Sequence, residues 1–204
     1  MYILFCLCPV DINFILQKKI KIKKDMSFEL VIGPMFSGKT SYLLEKSKQA
    51  KMSNIPYVCV NHTIDKRYNN TGAIHSHDDK CDENTLAVSS LKDILTHKKC
   101  IDAKIILVDE GQFYTDLREF ILEAVDVMKK NVVVVGLDGD AQRKMFKPIQ
   151  DVLPLADDVR KLKSLCSRCQ NNAIFTIRLS GCKKRKVDVG GSEKYTSVCR
   201  EHFI

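Results

Sequence analysis

The fold is decided by the stretch Gly33-Pro34-Met35-Phe36-Ser37-Gly38-Lys39-Thr40. It matches the pattern G-x-x-x-x-G-K-[ST] of a loop that wraps around phosphate groups, and it stands between a predicted strand and a predicted helix. The glycines let the backbone curl round an anion, while N–H groups of the loop and of the helix N-terminus provide positive dipole ends. Lys39 is expected to reach the terminal phosphates, and Thr40 to offer its hydroxyl to magnesium. We therefore predict that residues 33–40 form a phosphate loop.

A second chemical signal lies at the end of a predicted strand, residues 104–109. The apolar run Ile105-Ile106-Leu107-Val108 leads into two carboxylates, Asp109 and Glu110. Beside a phosphate loop, Asp109 is placed to hold hydrated magnesium, and Glu110 is placed to take a proton from an attacking oxygen. That oxygen belongs to water in an ATPase and to a substrate hydroxyl in a kinase. The carboxylate pair alone therefore leaves both reactions open.

Apolar runs alternate with amphipathic stretches through residues 26–162, as expected of a parallel sheet covered by helices. The predicted strands are residues 28–33, 56–61, 104–109 and 131–137, and the predicted helices are residues 39–52, 91–97 and 117–130. The polar residues 69–84 are interpreted as a loop. The predicted fold class is α/β, with a RecA-like parallel sheet that carries the phosphate loop, flanking helices and a small C-terminal module.

The composition of the 204-residue chain narrows the class of protein. With 45% hydrophobic and 28% charged residues, the chain is neither disordered nor collagen-like. It contains no apolar run of the roughly 18 to 20 residues that a membrane-spanning helix needs. The net charge of +8 invites a nucleic-acid partner, but much of the surplus lies in a lysine-rich start and in a basic run at residues 183–186. We interpret that run as a solvated loop tip, and we expect neither a nucleic-acid nor a membrane partner.

Nine cysteines are present, an odd number, and their spacing predicts a metal site. Cys166 and Cys169 form one closely spaced pair, and Cys199 and His202 form a second pair. Thiolate and imidazole groups suit tetrahedral zinc, and four protein ligands make a closed, structural site. The remaining cysteines are scattered, which together with a phosphate loop indicates a reducing intracellular compartment.

Three segments are predicted from these patterns. Residues 1–25 are an N-terminal extension, either disordered or upstream of the true start at Met26. Their lysines follow the apolar stretch instead of preceding it, so we do not interpret them as a signal peptide. Residues 26–162 are a nucleotide-binding domain. Residues 163–204, where the pattern changes to cysteine pairs and short β-prone runs, are a small zinc-binding lid.

Further short motifs give the chain a resemblance to a known family. They are Asp65-Lys66-Arg67-Tyr68, His77-Asp78, Asp109-Glu110-Gly111-Gln112-Phe113, Leu137-Asp138-Gly139, Gln142-Arg143-Lys144 with Phe146, Gly190-Gly191, and Lys194-Tyr195 ahead of Val198-Cys199-Arg200. Together with the phosphate loop, they resemble the type II thymidine kinases, the cytosolic and poxvirus-like class. The resemblance extends over residues 28–202.

The resemblance implies that the γ-phosphate of Mg-ATP is transferred to the 5′-hydroxyl of thymidine to give dTMP, with Glu110 as the general base. It implies that ATP and magnesium contact the phosphate loop together with Asp65, Lys66, Arg67, Asp109, Gly111 and Gln112. It implies a thymidine pocket lined by Met35, Phe113, Leu137, Ala141, Phe146, Thr176, Lys186, Val187, Asp188, Val189, Gly190 and Tyr195. The stretch between the cysteine pairs becomes a lasso-like loop that reads the base edge. A cytoplasmic homotetramer under dTTP feedback is also implied.

The chain departs from the family pattern at several positions. Asp140-Ala141 stands where most relatives have Thr-Phe, Met145 stands where proline is common, and His202 replaces a usual cysteine. The imidazole of His202 is an acceptable zinc ligand, so this change keeps the zinc site intact. The missing aromatic at Ala141, in contrast, removes a stacking surface. A deoxynucleoside kinase of relaxed pyrimidine specificity therefore remains an open alternative.

An alternative from another class is a zinc-ribbon ATPase that acts on DNA. It shares the phosphate loop, the carboxylate pair and the positive charge. Such a protein would hydrolyse ATP in response to DNA and would need no nucleoside. Assays with thymidine and with DNA therefore separate the two classes.

Overall fold

The computed structural model describes residues 26–64, 84–179 and 190–203, together with the backbone of residues 74–75 and 81–82. The predicted N-terminal extension, residues 1–25, lies outside the described residues. Outside them also lie three predicted ATP-site residues, Asp65, Lys66 and Arg67, and four predicted pocket residues, Lys186, Val187, Asp188 and Val189.

A parallel sheet forms the centre of the fold. The described strands before residue 163 are β1 (Ser27–Gly33), β2 (Tyr57–His62), β3 (Ile74–His75), β4 (Cys81–Asp82), β5 (Thr85–Val88), β6 (Ile105–Val108), β7 (Asn131–Leu137) and β8 (Asp158–Lys161). β3 and β4 pair antiparallel with each other. The others form a six-stranded sheet in the order β5-β2-β6-β7-β1-β8, with every neighbouring pair parallel. The predicted α/β class is confirmed.

The helices connect the strands. In the described residues they are α1 (Lys39–Met52), α2 (Lys92–Leu95), α3 (Lys98–Asp102), α4 (Leu117–Ile121) and α5 (Lys147–Val152). The helix predicted over residues 39–52 is confirmed with the same bounds. The helix predicted over residues 117–130 begins as α4, but it continues as a π-helix, Leu122–Val127, and Lys129 then has a positive φ of 56°. Among the described residues, none of the helices combines the length and the apolar character that a membrane span requires.

Apolar side chains cover both faces of the sheet, because successive residues of a strand point to opposite sides. On one face, Leu30 packs in a cluster with Phe120 from α4. On the other face, Val31 packs in a second cluster with Leu43 from α1. This two-sided burial explains the continuous apolar runs of the central strands. The phosphate loop lies at the carboxyl edge of this buried sheet, between the end of β1 and the start of α1.

Some elements escaped prediction because their sequences carry little apolar pattern. β8 is one edge of the sheet, and all of its residues are exposed. β5, the opposite edge, is only Thr85–Val88. α5 is also short and has proline in its first turn. Neither alternation nor length marks such elements in a sequence.

Two predictions for the region before β6 are wrong in detail. The helix predicted over residues 91–97 ends at Leu95, because His97 is extended and its ring accepts a hydrogen bond from the N–H of Lys99, in the first turn of α3. The predicted loop, residues 69–84, includes the short strands β3 and β4. Most of its other residues lie outside the described ones.

Residues 163–179 and 190–203 form a small unit, called here the cysteine module. Its strands are β9 (Ser164–Leu165), β10 (Asn172–Ala173), β11 (Phe175–Arg178) and β12 (Tyr195–Val198). They make two antiparallel pairs, β9 with β10 and β11 with β12. Cys166 and Cys199 are buried in an apolar cluster of the module's own. The small C-terminal module predicted with the fold class is therefore confirmed.

Candidate active site

The phosphate loop lies between the end of β1 and the start of α1, as its motif predicts. A Cβ atom at Gly33 would lie 2.7 Å from the backbone oxygen of Leu162, so a side chain there would push the loop away from its neighbour. Gly38 has a φ of 80°, which residues with side chains rarely adopt. Phe36 also has a positive φ, of 61°. The backbone is curled tightly enough to surround an anion, and α1 follows it directly.

Lys39 folds back over the loop. Its Nζ donates hydrogen bonds to the carbonyl oxygen of Pro34, at 2.6 Å, and to Oγ of Ser37, at 3.3 Å. Oγ of Ser37 donates to the same carbonyl at 2.8 Å. The ammonium group is therefore held beside the loop backbone, where the phosphate oxygens of a nucleotide would be alternative partners.

Asp109 follows β6 and is almost fully buried, with 4% exposure. Its carboxylate accepts hydrogen bonds from the N–H of Glu110, at 2.8 Å, and from the hydroxyl of Thr40. Burial and the charge of Glu110 raise the pKa of Asp109 to about 7, although these hydrogen bonds and the charge of Lys39 act in the opposite direction. A carboxylate in contact with a hydroxyl offers the hard oxygen donors that Mg²⁺ prefers. The donor set fits magnesium.

Glu110 has an unusual backbone conformation. Its φ of 53° and ψ of 41° lie in the left-handed region, which is strained for a residue with a side chain. Its carboxylate accepts a hydrogen bond from Nε2 of Gln112 at 2.5 Å, and Oε1 of Gln112 accepts one from the N–H of Leu137 at 2.9 Å. Gln112 lies with the buried Gly111 in the 3-10 turn Gly111–Phe113. These contacts fix the direction of Glu110 relative to the ends of β6 and β7.

His62 is a residue of this region that the sequence analysis missed. It is the last residue of β2, and its ring lies 5.7 Å from the ring of Phe113 and 4.7 Å from that of Tyr114. Its Nδ1 accepts a hydrogen bond from the N–H of Ile64 at 3.0 Å. A lone histidine at the end of an apolar run carries no spacing signal. The half-buried Phe113 is held beside His62 at the carboxyl edge of the sheet.

Tyr114 also went unnoticed in the sequence. It is fully buried, and within the described residues its hydroxyl has no hydrogen-bond partner. Burial, reinforced by the carboxylates of Asp109, Asp116 and Glu110, raises the pKa of Tyr114 far above its ordinary value. The phenol therefore stays neutral.

The chain leaves β7 through a tight turn, residues 139–145, in which Gly139 and Met145 form a β-bridge. The carboxylate of Asp140 accepts hydrogen bonds from the N–H groups of Gln142, at 2.9 Å, and Lys144, at 2.8 Å. Such a cap within one turn is typical of aspartate. Asp140, a departure from the family pattern, therefore closes the turn in which it lies.

The predicted pocket residues near this turn come together at the carboxyl end of β7. Leu137 is the last residue of the strand, Ala141 is half-buried in the turn, and Phe146 packs at the edge of the main core. The guanidinium of Arg143 lies 4.3 Å from the ring centre of Phe203. This cation–π contact joins the turn to the cysteine module.

The four predicted zinc ligands also come together. The ligand atoms of Cys166, Cys169, Cys199 and His202 all lie within 4.8 Å of one another. The sulfurs of Cys169 and Cys199 are 3.7 Å apart, and Nδ1 of His202 lies 3.2 Å from the sulfur of Cys199 and 3.6 Å from that of Cys166. Tetrahedral zinc with ordinary bond lengths needs about 3.8 Å between two sulfurs and about 3.6 Å between sulfur and nitrogen. The cluster therefore fits a zinc ion.

The backbone around Cys166 favours the thiolate that a metal ion needs. Burial acts to raise the pKa of the Cys166 thiol, but hydrogen bonds from the N–H groups of Cys199, Arg168 and Cys169 outweigh it and lower that pKa to about 6. All of these cysteines are free thiols. The chemistry of the donor set agrees with its geometry.

Thr176 and Tyr195, both predicted for the thymidine pocket, lie on one face of the β11/β12 pair. Thr176 stands opposite Ser197, and Tyr195 stands opposite Arg178. The hydroxyl of Thr176 accepts a hydrogen bond from the N–H of Met35 at 2.9 Å. The hydroxyl of Tyr195 accepts one from Arg178 at 2.9 Å, and Gly190, just before β12, is half-buried. This face of the cysteine module therefore lies against the phosphate loop.

A parallel sheet, a glycine-rich phosphate loop that leads into a helix, and a buried carboxylate beside the loop define a P-loop nucleotide-binding protein. Within that class, the family model described as thymidine kinase matches residues 26–203. The chain belongs to the thymidine kinase family.

Individual proteins show the same similarity. The thymidine kinase of Fowlpox virus (strain NVSL) is 35% identical over 180 residues, which cover 87% of this chain and 97% of the relative. The cytosolic thymidine kinase of Homo sapiens is 35% identical over 172 residues, which cover 84% of this chain and 70% of the relative. Among solved structures, the flagellar accessory protein FlaH from Methanocaldococcus jannaschii has a TM-score of 0.43 at 12% identity, over 73% of this chain and 75% of that chain. That distant likeness has no bearing on the activity.

Proposed function

We propose that this protein is a thymidine kinase, which transfers the γ-phosphate of ATP to the 5′-hydroxyl of thymidine and releases dTMP and ADP. Membership of the thymidine kinase family over residues 26–203 is the observation that carries the proposal. The site supports it, because a phosphate loop, a buried aspartate and a neighbouring glutamate suit phosphoryl transfer to an alcohol. A DNA-dependent ATPase and a kinase of relaxed pyrimidine specificity are not favoured by this membership.

ATP binds with its phosphates in the phosphate loop. Backbone N–H groups at the start of α1 donate to the phosphate oxygens, and Lys39 exchanges its contact with the Pro34 carbonyl for the terminal phosphate. Thr40 and Asp109 would hold magnesium, which supplies positive charge against the phosphates. The remaining proposed ATP-site residues, Asp65, Lys66 and Arg67, lie outside the described residues.

Glu110 takes the proton of the 5′-hydroxyl while that oxygen bonds to the γ-phosphorus and the bond from phosphorus to the ADP oxygen breaks. Gln112 keeps the Glu110 carboxylate in one orientation through its hydrogen bond. The strained backbone at Glu110 is consistent with this role, since such conformations concentrate at functional sites.

Thymidine lies on the other side of Glu110, between the carboxyl ends of β6 and β7. The proposed apolar walls of its pocket are Met35, Phe113, Leu137 and Phe146. Ala141 leaves room beside the base, while Thr176, Gly190 and Tyr195 approach from the cysteine module. Lys186, Val187, Asp188 and Val189, which lie outside the described residues, complete the proposed pocket.

The proposed organisation has two parts, a nucleotide-binding domain over residues 26–162 and a lid over residues 163–204. Zinc held by four protein ligands has no open position and would be structural. The cytoplasm as location, a homotetramer as assembly and dTTP as feedback inhibitor belong to the same proposal. Their support is the similarity to this family.

A product assay tests the proposal. The protein is incubated with γ-labelled ATP and magnesium, in separate tubes with thymidine, deoxyuridine, deoxycytidine or DNA, and the products are separated by chromatography. We expect labelled dTMP and little product from deoxycytidine. Glu110→Gln should lower product formation by about a hundredfold and leave ATP binding intact.

Two other outcomes of that assay would change the proposed function. Phosphate release that depends on DNA, without a labelled nucleotide, would identify the ATPase. Comparable products from thymidine and deoxycytidine would identify the kinase of relaxed specificity.

A further inference from the structure

Hydroxyl groups of the cysteine module hold the backbone of the phosphate loop. Oγ1 of Thr176 accepts a hydrogen bond from the N–H of Met35 at 2.9 Å, and Oγ of Ser197 donates one to the carbonyl of Met35 at 2.5 Å. Oγ of Ser164 donates to the carbonyl of Phe36 at 3.0 Å. Both polar backbone groups of Met35 are thus occupied from a distant part of the chain. We call Ser164, Thr176 and Ser197 the hydroxyl clamp.

The hydroxyl clamp belongs to a packed interface. Ser197 is 2% exposed, Thr176 is 6% exposed and Ser164 is 9% exposed. Thr176 and Ser197 stand directly opposite each other in the β11/β12 pair, so their side chains share one face. Buried hydroxyls need hydrogen-bond partners, and the loop backbone supplies them. The contact between the hydroxyl clamp and the phosphate loop therefore resembles the packing of a protein interior.

The opposite face of the same strand pair packs on the metal-ligand cluster. Because side chains alternate along a strand, Phe175 and Ile177 point away from the face that carries Thr176. Both pack in the apolar cluster that contains Cys166 and Cys199. The strand pair therefore stands between the zinc ligands on one side and the phosphate loop on the other.

We propose that the hydroxyl clamp couples the ATP affinity of the phosphate loop to the metal-bound state of the cysteine module, with Thr176 and Ser197 as positioning residues. The inference rests on the proposed binding of ATP at this loop. A loop that contains Phe36 at positive φ is strained, and such a conformation persists where its surroundings hold it. Without bound metal, the strand pair loses its anchor and the hydroxyl clamp loosens. ATP must then order the loop itself, which weakens binding.

Ser197→Ala is the primary test, because Ser197 is not among the residues proposed to contact thymidine. The Kd of Mg-ATP is measured by isothermal titration calorimetry without thymidine, and zinc content is measured on the same samples. Ser197→Ala should raise this Kd about tenfold, as expected for the loss of a buried hydrogen bond, and should retain its zinc. The matched control is Thr196→Val, on the same strand but on the opposite face. Its Kd should stay within about twofold of the wild-type value.

Thr176 allows a second comparison. Thr176→Val removes the acceptor for the N–H of Met35 and should weaken ATP binding like Ser197→Ala. Thr176→Ser keeps a hydroxyl and should bind ATP as the wild type does. An effect of side-chain volume alone would give the reverse ranking, because valine keeps the volume and serine does not.

Zinc removal tests the coupling itself. Stripping the wild type of zinc should raise the Kd of ATP about as much as the double variant Thr176→Val/Ser197→Ala does. Stripping the double variant should add little, because its hydroxyl clamp is already open. If the double variant fails to fold, zinc-loaded and zinc-stripped Ser197→Ala replaces it in the same comparison.

The outcomes are distinguishable. A zinc-loaded Ser197→Ala protein that binds ATP as tightly as the wild type overturns the inference and leaves the proposed function intact. Equal losses on zinc removal in the wild type and in the double variant would show that zinc does not act through these hydroxyls. A wild type that does not bind ATP at all would refute the proposed function itself.

Discussion

Two loops follow neighbouring strands of the sheet, and they are held in different ways. The phosphate loop, after β1, takes its backbone partners from Thr176 and Ser197, which are 141 and 162 positions away from Met35. The turn of residues 139–145, after β7, is closed by its own Asp140. Side chains of the cysteine module therefore hold the Met35 backbone at the phosphate loop. The turn that borders the proposed thymidine pocket has its backbone N–H groups capped locally, and its contact with the cysteine module is made by the side chain of Arg143.

Loss of the zinc site should give the largest difference between the phosphate loop and the turn of residues 139–145. Cys169→Ser should release the metal, open the hydroxyl clamp and lower kinase activity by about a hundredfold or more. Backbone hydrogen exchange should accelerate by about tenfold in residues 33–40, whereas the amides capped by Asp140 should keep most of their protection. Exchange is measured by mass spectrometry. Equal acceleration in both segments would show that the turn also depends on the cysteine module.

The buried carboxylate of Asp109, beside the phosphate loop, lowers the stability of the folded protein when it is ionised. The folded-state pKa of Asp109 is raised above its ordinary value of 3.8 to about 7, so the unfolded chain loses this proton at lower pH than the folded protein does. Stability is therefore lost as the pH rises from about 4 through 7. Asp109→Asn should raise the Tm by about 5 °C at pH 8 in magnesium-free buffer, and by much less at pH 5, while it abolishes activity.

Thermal melting of both proteins at pH 5 and pH 8 measures this effect. If Asp109→Asn raises the Tm by the same amount at both pH values, the ionised carboxylate of Asp109 is not the cause of the increase.

The turn should respond to a change at its own cap. Asp140→Ala removes the acceptor for two N–H groups and should raise the KM for thymidine about fivefold, with the KM for ATP unchanged. Asp140→Asn, which keeps an acceptor oxygen, is the matched control and should resemble the wild type. Steady-state kinetics with each substrate varied in turn give both constants. A rise in the KM for ATP would contradict the local character of this turn.

The smallest effect is expected at Tyr114, which follows the 3-10 turn after β6. Its buried hydroxyl has no partner within the described residues, so Tyr114→Phe should raise the free energy of unfolding by about 1 kcal/mol. Tyr42→Phe is the control, because the hydroxyl of Tyr42 donates a hydrogen bond to Glu29 at 2.6 Å, and its loss should destabilise. Urea unfolding measures both. A destabilised Tyr114→Phe protein would show that the hydroxyl has a partner after all.

Sequence reasoning works where the chemistry is local. The phosphate loop and the paired zinc ligands are spaced by the geometry of single turns, so their residues reveal them without a structure. The central strands are visible because burial on both faces demands apolar runs. The exposed edge strand β8 has no such demand, and its charged residues conceal it.

The hydroxyl clamp and the roles of Asp140 and His62 could not be predicted for a related reason. Serine and threonine are common, and nothing in the sequence joins Ser197 to a loop 162 positions earlier. Asp140 is visible only as a departure from a pattern, and its hydrogen bonds supply the physical cause. His62 meets Phe113 only because the parallel strands β2 and β6 end side by side.

The most direct measurement follows the γ-phosphate itself. Phosphorus NMR of the wild-type protein with magnesium, ATP and thymidine should show the γ-phosphate signal replaced by that of dTMP, in step with ADP formation. The same mixture without thymidine should show almost no change. Inorganic phosphate as the product, with thymidine unaltered, would contradict a kinase whose phosphate loop and Glu110 act together on a nucleoside hydroxyl.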